Sequence, residues 1–223
     1  RYAFAHSWKP PREFAEAFTR DYPNVKYECG KPGLPDKGYG MLWVDRNGDS
    51  GMQADEIEFS TAAEAFAGSY WGHDFNDLTL RVPAIAAGKS VMVTLKPDGW
   101  WPGGAPKYPG LNDAVKAAIP INGLESSWYE STVDRFGNMI VNSDPEMRAF
   151  SPDGRLLWGY PNRWTNVHGS HRAPLPSPGE LQGVLFFTGV APLDDKSDVM
   201  LMNGNHGRAF VMTTDGLYID EMF

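Results

Sequence analysis

The run from Asp45 to Glu56 (Asp-Arg-Asn-Gly-Asp-Ser-Gly-Met-Gln-Ala-Asp-Glu) places oxygen-bearing groups at alternate positions of one short segment. Counting from Asp45, positions 1, 3 and 5 are Asp45, Asn47 and Asp49. Position 7 is Gly51, with its backbone carbonyl, position 9 is Gln53 and position 12 is Glu56. Calcium takes about six to eight hard oxygen ligands at this spacing in an EF-hand loop, and the last carboxylate binds through both oxygens. Met52 at position 8 is apolar, as that position usually is. Position 6 departs from the pattern: its backbone needs a positive φ and it is normally Gly, whereas this chain has Ser50. The left-handed conformation costs a non-glycine residue about 1 kcal/mol or more, which is expected to lower the affinity. Met41-Leu42-Trp43-Val44 ahead of the loop reads as a strand, not an entering helix. The expectation is a lone EF-hand-like loop in β structure, binding Ca2+ for stability. The competing reading is an Asp/Asn/Gly turn that holds itself together without metal.

A second group of chemistry-bearing residues is Asn166-Val167-His168-Gly169-Ser170-His171-Arg172, with two imidazoles three apart. Together with His206, in Asn203-Gly204-Asn205-His206-Gly207-Arg208, they could bind a transition metal or move protons. His168, His171 and His206 are therefore the candidate catalytic residues, against the plainer reading of loop histidines bonded to backbone. Tyr70-Trp71-Gly72-His73 and Gly99-Trp100-Trp101 could stack on sugar rings, or could fill a β core. The serines lack a nucleophile-elbow pattern, and neither a phosphate-binding Gly loop nor a Cys pair is present.

The elements that must position these groups are mostly strands. Eight Trp, nine Tyr and twelve Phe accompany 24 Gly and 18 Pro among 223 residues, a balance that favours short strands and tight turns. The net charge of -8, with no basic cluster, argues against nucleic acid as a partner. One cysteine, Cys29, excludes an intrachain disulfide. No apolar run approaches the roughly 20 residues of a membrane-spanning helix. A start at Arg1 and an apolar, strand-like end suggest a processed chain or a piece of a larger one.

The pattern predicts a helix over Arg12–Phe18, with Phe14 and Phe18 on one face, and a second short helix from the Thr61-Ala62-Ala63-Glu64 capping box. Strands are expected at 39–44, 56–60, 78–82, 90–95, 128–133, 138–142, 148–151, 156–160, 184–188, 199–203 and 209–213. Gly99 to Gly110 reads as a packed or ligand-facing loop. Asp153-Gly154 and Asp215-Gly216 carry the signature of two-residue hairpins. The segments around Arg135-Phe136-Gly137, Asp153-Gly154 and Asp215-Gly216 share one plan of apolar strand, Gly-containing turn and apolar strand. Recurring hairpins of this kind suit β-propeller blades of about 40 to 50 residues, or an antiparallel sandwich. Residues 1–37 form an unassigned N-terminal segment and 38–223 a β-propeller-like domain, all-β apart from one or two short helices.

Several pieces resemble large secreted bacterial β-propeller proteins that carry an aspartate-rich calcium loop. They are Trp43-Val44-Asp45-Arg46-Asn47-Gly48-Asp49, Tyr70-Trp71-Gly72 with Asp77-Leu78-Thr79, the stretch from Ser151 to Asn162, Val167 to His171, and Thr214 to Tyr218. The similarity covers roughly residues 38 to 223 and implies a propeller architecture and export, to the periplasm or the outside of a bacterium. The expected function is a calcium-stabilised binding or scaffold module, for an extracellular glycan or for another chain or domain that completes the propeller. The alternative is a propeller-type polysaccharide lyase or hydrolase using the three histidines. A propeller fold hosts both binding and catalysis.

Overall fold

The computed structural model describes residues 2–4, 12–24, 27–28, 31–32, 40–60, 62–63, 65–66, 78–124, 128–143, 145–163, 172–183 and 185–222. Strands hold 46% of the chain and form several sheets, so the fold is mostly β. The chain divides into two compact units, Arg1–Phe66 with Leu78–Ala118, and Ala67–Asp77 with Ile119–Phe223.

The first unit contains β1 (Tyr2–Phe4), α1 (Arg12–Asp21), β2 (Tyr27–Glu28), β3 (Lys31–Pro32), β4 (Gly40–Val44), β5 (Ile57–Ser60) and β6 (Ala65–Phe66). It continues with β7 (Leu80–Ala86), β8 (Lys89–Leu95), β9 (Gly99–Trp100), β10 (Pro106–Lys107) and α2 (Leu111–Lys116). Strands β1, β4 and β5 form one antiparallel sheet in which Trp43 faces Ile57, so residues 45–56 are the connection of a hairpin. Helix α1 continues past Phe18 to Asp21 and lays Phe14, Ala17 and Phe18 on Met41, Ile57 and Phe59. Phe18 is fully buried, meets Phe59 edge-on at 5.5 Å and stacks on Tyr22 at 4.9 Å. Full burial of one such ring stabilises by roughly 1.5–3 kcal/mol, and this patch fixes the strands that carry the 45–56 loop.

Two local expectations for this unit are corrected. Thr61 and Glu64 lie outside the described residues, but the expected short helix does not run through their neighbours: Ala62-Ala63 bend, and Ala65 and Phe66 pair with Ile85 and Ala84 as an edge strand. The Ser60 hydroxyl accepts the Ala62 N–H at 3.1 Å, directing the chain into a turn in place of a helical cap. The Gly- and Pro-rich stretch from Gly99 to Gly110 is not wholly irregular. It holds the β9–β10 ribbon, and α2 follows immediately.

The second unit contains β11 (Ile119–Pro120), β12 (Trp128–Val133), β13 (Met139–Ser143), β14 (Glu146–Phe150), β15 (Leu156–Arg163) and β16 (Leu181–Gln182). Strands β17 (Phe186–Pro192), β18 (Asp198–Asn203), β19 (Ala209–Thr213) and β20 (Tyr218–Met222) complete it. Strands β12 to β15 make a four-stranded antiparallel meander, to which β16 adds in parallel, and β17 to β20 make a second four-stranded meander. Ile140, Met147 and Ala149 of the first pack with Phe187, Met200, Met202, Phe210 and Met212 of the second in one buried core.

The three recurring turns share a hydrogen-bond plan. Asp134, Ser151 and Thr213 each donate their backbone N–H to the carbonyl four residues on, at 3.0, 2.9 and 2.9 Å. Their side-chain oxygens accept the N–H of that same fifth residue, at 2.8 Å for Asp134 and Asn138, 3.1 Å for Ser151 and Arg155, and 3.0 Å for Thr213 and Leu217. The fourth residue is Gly137, Gly154 or Gly216, at φ 82°, 83° and 96°. Asp153 and Asp215 are not in the left-handed region, so these are five-residue turns with one left-handed glycine, not two-residue hairpins. The Asp side chains bond instead to the Ser151 and Thr213 hydroxyls.

Candidate functional site

The 45–56 loop leaves β4 at Val44 and returns through a single helical turn, Ala54–Glu56, into β5. Ser50 takes φ 66°, the left-handed conformation that position 6 of a calcium loop requires, and Gly48 takes φ 80°. Asp45, 2% exposed, holds that turn from inside. Its Oδ1 accepts the Gly48 N–H at 2.7 Å and its Oδ2 the Ser50 N–H at 3.1 Å. Glu56, 3% exposed, closes the loop. Its Oε1 accepts the Arg46 N–H at 2.7 Å and the Asn47 N–H at 3.3 Å, while its Oε2 accepts the Trp43 indole N–H at 3.2 Å.

The side chains at positions 3, 5 and 9 converge. Asp49 Oδ2 accepts from Gln53 Nε2 at 2.9 Å and from Asn47 Nδ2 at 3.1 Å, and its Oδ1 accepts the Gly51 N–H at 2.7 Å. These bonds, that of Gly51 first, hold the Asp49 carboxyl below its ordinary range. The donor set is all oxygen, with three carboxylates and two amides that present oxygen when turned, which suits a hard cation. Among the described residues no three His, Cys, Asp or Glu side chains stand together as a metal-ligating group. The Asp45 and Glu56 oxygens face loop N–H groups.

Sequence reasoning missed what supports the loop. Gly103 lies directly against it: a Cβ there would stand 2.3 Å from the Gly48 nitrogen and 2.4 Å from the Asn47 carbonyl carbon. The Gly103 N–H donates to the Arg46 carbonyl at 3.0 Å. Beside this contact the Arg46 guanidinium sits 4.9 Å from the Trp101 ring centre, with Lys107 Nζ at 5.8 Å. Trp101 is therefore a packed residue, whereas Trp100 is 66% exposed. A Gly-Gly pair after two tryptophans was the available signal of a close backbone approach.

On the α1 side of the loop lies an open polar cleft of about 630 Å3, lined in part by Tyr22, Arg46, Asp55, Glu58 and Asn112. Arg20, also in its wall, is committed to structure. It grips Asp21 through two nitrogens at 2.6 and 2.9 Å and donates to the Ala54 and Ile57 carbonyls, each at 2.8 Å. Arg46 donates to the Asp55 carbonyl at 2.9 Å, and its Nε–H has no hydrogen-bond partner among the described residues. Glu58 Oε1 accepts the Leu111 N–H at 2.6 Å. Burial pushes the Glu58 carboxyl above the usual range, opposed by the Leu111 and Asn112 N–H groups and by the Arg46 charge. Asn112 Oδ1 accepts from the Ser60 hydroxyl at 2.7 Å.

Of the candidate catalytic histidines, His168 and His171 lie outside the described residues, as does the Tyr70 to Asp77 stretch. His206 is exposed at φ 64° in a turn closed by the Gly204 N–H on the Arg208 carbonyl at 2.8 Å. That turn sits at the end of the second unit where β15 finishes. Gly204 lies against the Gln182 carbonyl, and Gln182 is the strand partner of Arg163. No helix among the described residues is long and apolar enough to cross a membrane. Neither a protein-family model nor a curated protein matches the chain.

Proposed function

We propose that this chain is a calcium-stabilised binding or scaffold module of an extracellular, β-propeller-like bacterial protein. Its partner is a glycan, or the further chain or domain that completes the propeller. The observation that carries the calcium reading is Ser50 at φ 66° between the buried carboxylates of positions 1 and 12. A non-glycine residue persists in that region where its surroundings over-determine it, and here Asp45 holds it through two backbone N–H groups. Asp45, Asn47, Asp49, Gln53, Glu56 and the Gly51 carbonyl are the groups that would hold the ion. Bound there, calcium supplies positive charge to three carboxylates confined to one hairpin connection, and so ties β4 to β5.

The propeller reading is supported by the two four-stranded antiparallel meanders and their repeated five-residue turn. A four-stranded sheet is the unit from which propellers are assembled by radial repetition. Export follows from the resemblance of the loop and turn segments to secreted propeller proteins. The test is calcium uptake by metal-free protein, measured by calorimetry beside thermal unfolding. Uptake with stabilisation, lost in Asp45→Asn, supports the module. No uptake rejects it.

A further inference from the structure

We infer that the outer face of the β17–β20 sheet is an interface on which a second copy of this chain docks, about a two-fold axis parallel to the strands. This goes beyond the proposed function and depends on neither calcium nor a glycan. The register sorts the side chains of the sheet onto two faces. Met200, Met202, Phe210 and Met212 point inward and are fully buried. The alternate residues of the two central strands, Val199, Leu201, Ala209 and Val211, lie on the other face, half-buried or, for Leu201, 37% exposed. An antiparallel sheet with one face in water carries polar residues there. Here β18 and β19 place polar residues on that face only at Asn203 and Thr213. In the neighbouring sheet, β13 is buried at every residue from Met139 to Ser143. A strand with apolar residues on both sides is thus covered on both sides elsewhere in this unit.

The face complements itself. Gly189, Leu201, Val211 and Asp220 form one row across the four strands. The row is low at β17, where a Cβ on Gly189 would meet nothing within 4 Å and Ala191 comes next on the face. It is high at β20, with Asp220 and with Met222, which is 45% exposed. A half-turn about an axis between β18 and β19 lays β20 of each copy over β17 of the other. Leu201 then faces Val211 of the second copy, and Asp220 faces the open space beside Gly189. Asp220 is the one charged side chain on this face among the described residues, and the half-turn keeps it away from its own counterpart. The hydroxyls are already engaged. Thr188 donates to the Leu201 carbonyl at 3.0 Å, and Thr213 accepts the Leu217 N–H at 3.0 Å.

Size and charge set the strength. Strands of five to seven residues, rising about 3.4 Å per residue and about 4.8 Å apart, give a face of roughly 300–450 Å2 in plan. Two such faces, ridged by side chains, bury about 1,000 Å2 between them, the lower limit of a specific interface. The dimer is therefore weak and forms at micromolar concentrations. Two chains of charge -8 repel each other at long range. Salt screens that repulsion and tightens the dimer, whereas a contact between oppositely charged surfaces would loosen.

The test is sedimentation equilibrium of the full chain over a micromolar concentration range, at low and at high salt. A monomer–dimer equilibrium that tightens with salt is expected. Leu201→Lys should weaken it at least tenfold, while Leu193→Lys, in the exposed turn after β17, should leave it unchanged. Gly189→Glu sets a carboxylate against Asp220 of the second copy and should weaken association, and Gly189→Lys should associate more tightly than Gly189→Glu. Melting temperatures of dilute samples should match the parent, which separates loss of the dimer from loss of the fold. A monomer at every concentration, the result if a different sheet covers this face, overturns the proposal. So does a dimer that Leu201→Lys and Gly189→Glu leave intact.

Discussion

Glu56 accepts the backbone N–H of Arg46 at 2.7 Å, so the twelfth residue of the loop is fastened to the second. The same Arg46 donates to the carbonyl of Asp55, the eleventh. The two ends of the loop are thereby joined twice above the β4–β5 pair, and the intervening residues are free to differ only within a closed frame.

The strain at Ser50 is the first quantity this frame makes measurable. At φ 66° a serine carries about 1 kcal/mol that glycine would not. Because the strain is present in the loop without metal, Ser50→Gly should raise the stability of the metal-free protein by about 1 kcal/mol, and Ser50→Val should lower it. Urea unfolding of the three metal-free proteins checks the order.

Gly103 should be as important to the loop as any residue in it. A methyl group there would meet the backbone at Gly48 and Asn47, which cannot swing aside as a side chain does. Gly103→Ala is expected to cost about 1–3 kcal/mol in urea unfolding. Gly99→Ala, where an added Cβ meets nothing within 4 Å, should stay within about 0.5 kcal/mol of the parent.

In the second unit, Trp158 Nε1 donates to the Thr214 carbonyl at 2.9 Å, and the indole lies against Gly216. Trp158→Phe should cost about 1 kcal/mol for the lost bond. Gly216→Ala, at φ 96° and 2.9 Å from the ring, should cost more. Combined, the two should fall short of their sum because they act on one contact. Additive losses would contradict the packing described.

Glu58 gives the pH dependence a definite sign. Burial raises its folded pKa above the ordinary 4.5. Its contribution to stability is fully present below pH 4.5 and is lost as the pH rises through the folded value. Glu58→Gln keeps an acceptor for the Leu111 N–H and removes the titration. The variant should therefore match the parent near pH 4 and melt higher at pH 7. A variant that is relatively weaker at pH 7 would mean that the carboxylate is net favourable where it sits.

Much of the strand pattern was legible because apolar runs between Gly-containing turns are a local signal, and β4, β8, β12 and β18 fall within a residue or two of expectation. Helix α1 was legible from Phe14 and Phe18. The Thr61 helix failed because a capping-box spacing says nothing of strand β7, which claims Ala65 and Phe66 as an edge. Helix α2 was hidden behind Gly110, which lacks a capping side chain. In the loop, ligand spacing and the demand on Ser50 were readable in twelve consecutive residues. Its buttress was not, since Gly103 lies 55 positions along the chain from Gly48 and meets it only through the tertiary fold. The cleft is likewise assembled from three separated segments.

The central claim is tested most directly by titrating metal-free protein with calcium in a calorimeter and following thermal unfolding at each concentration. The account predicts uptake of one calcium per chain. It also predicts stabilisation of about 2.7 kcal/mol when free calcium is a hundredfold above Kd, abolished by Asp45→Asn and by Glu56→Gln. No heat of binding, and a melting temperature indifferent to calcium and to chelator, would contradict it.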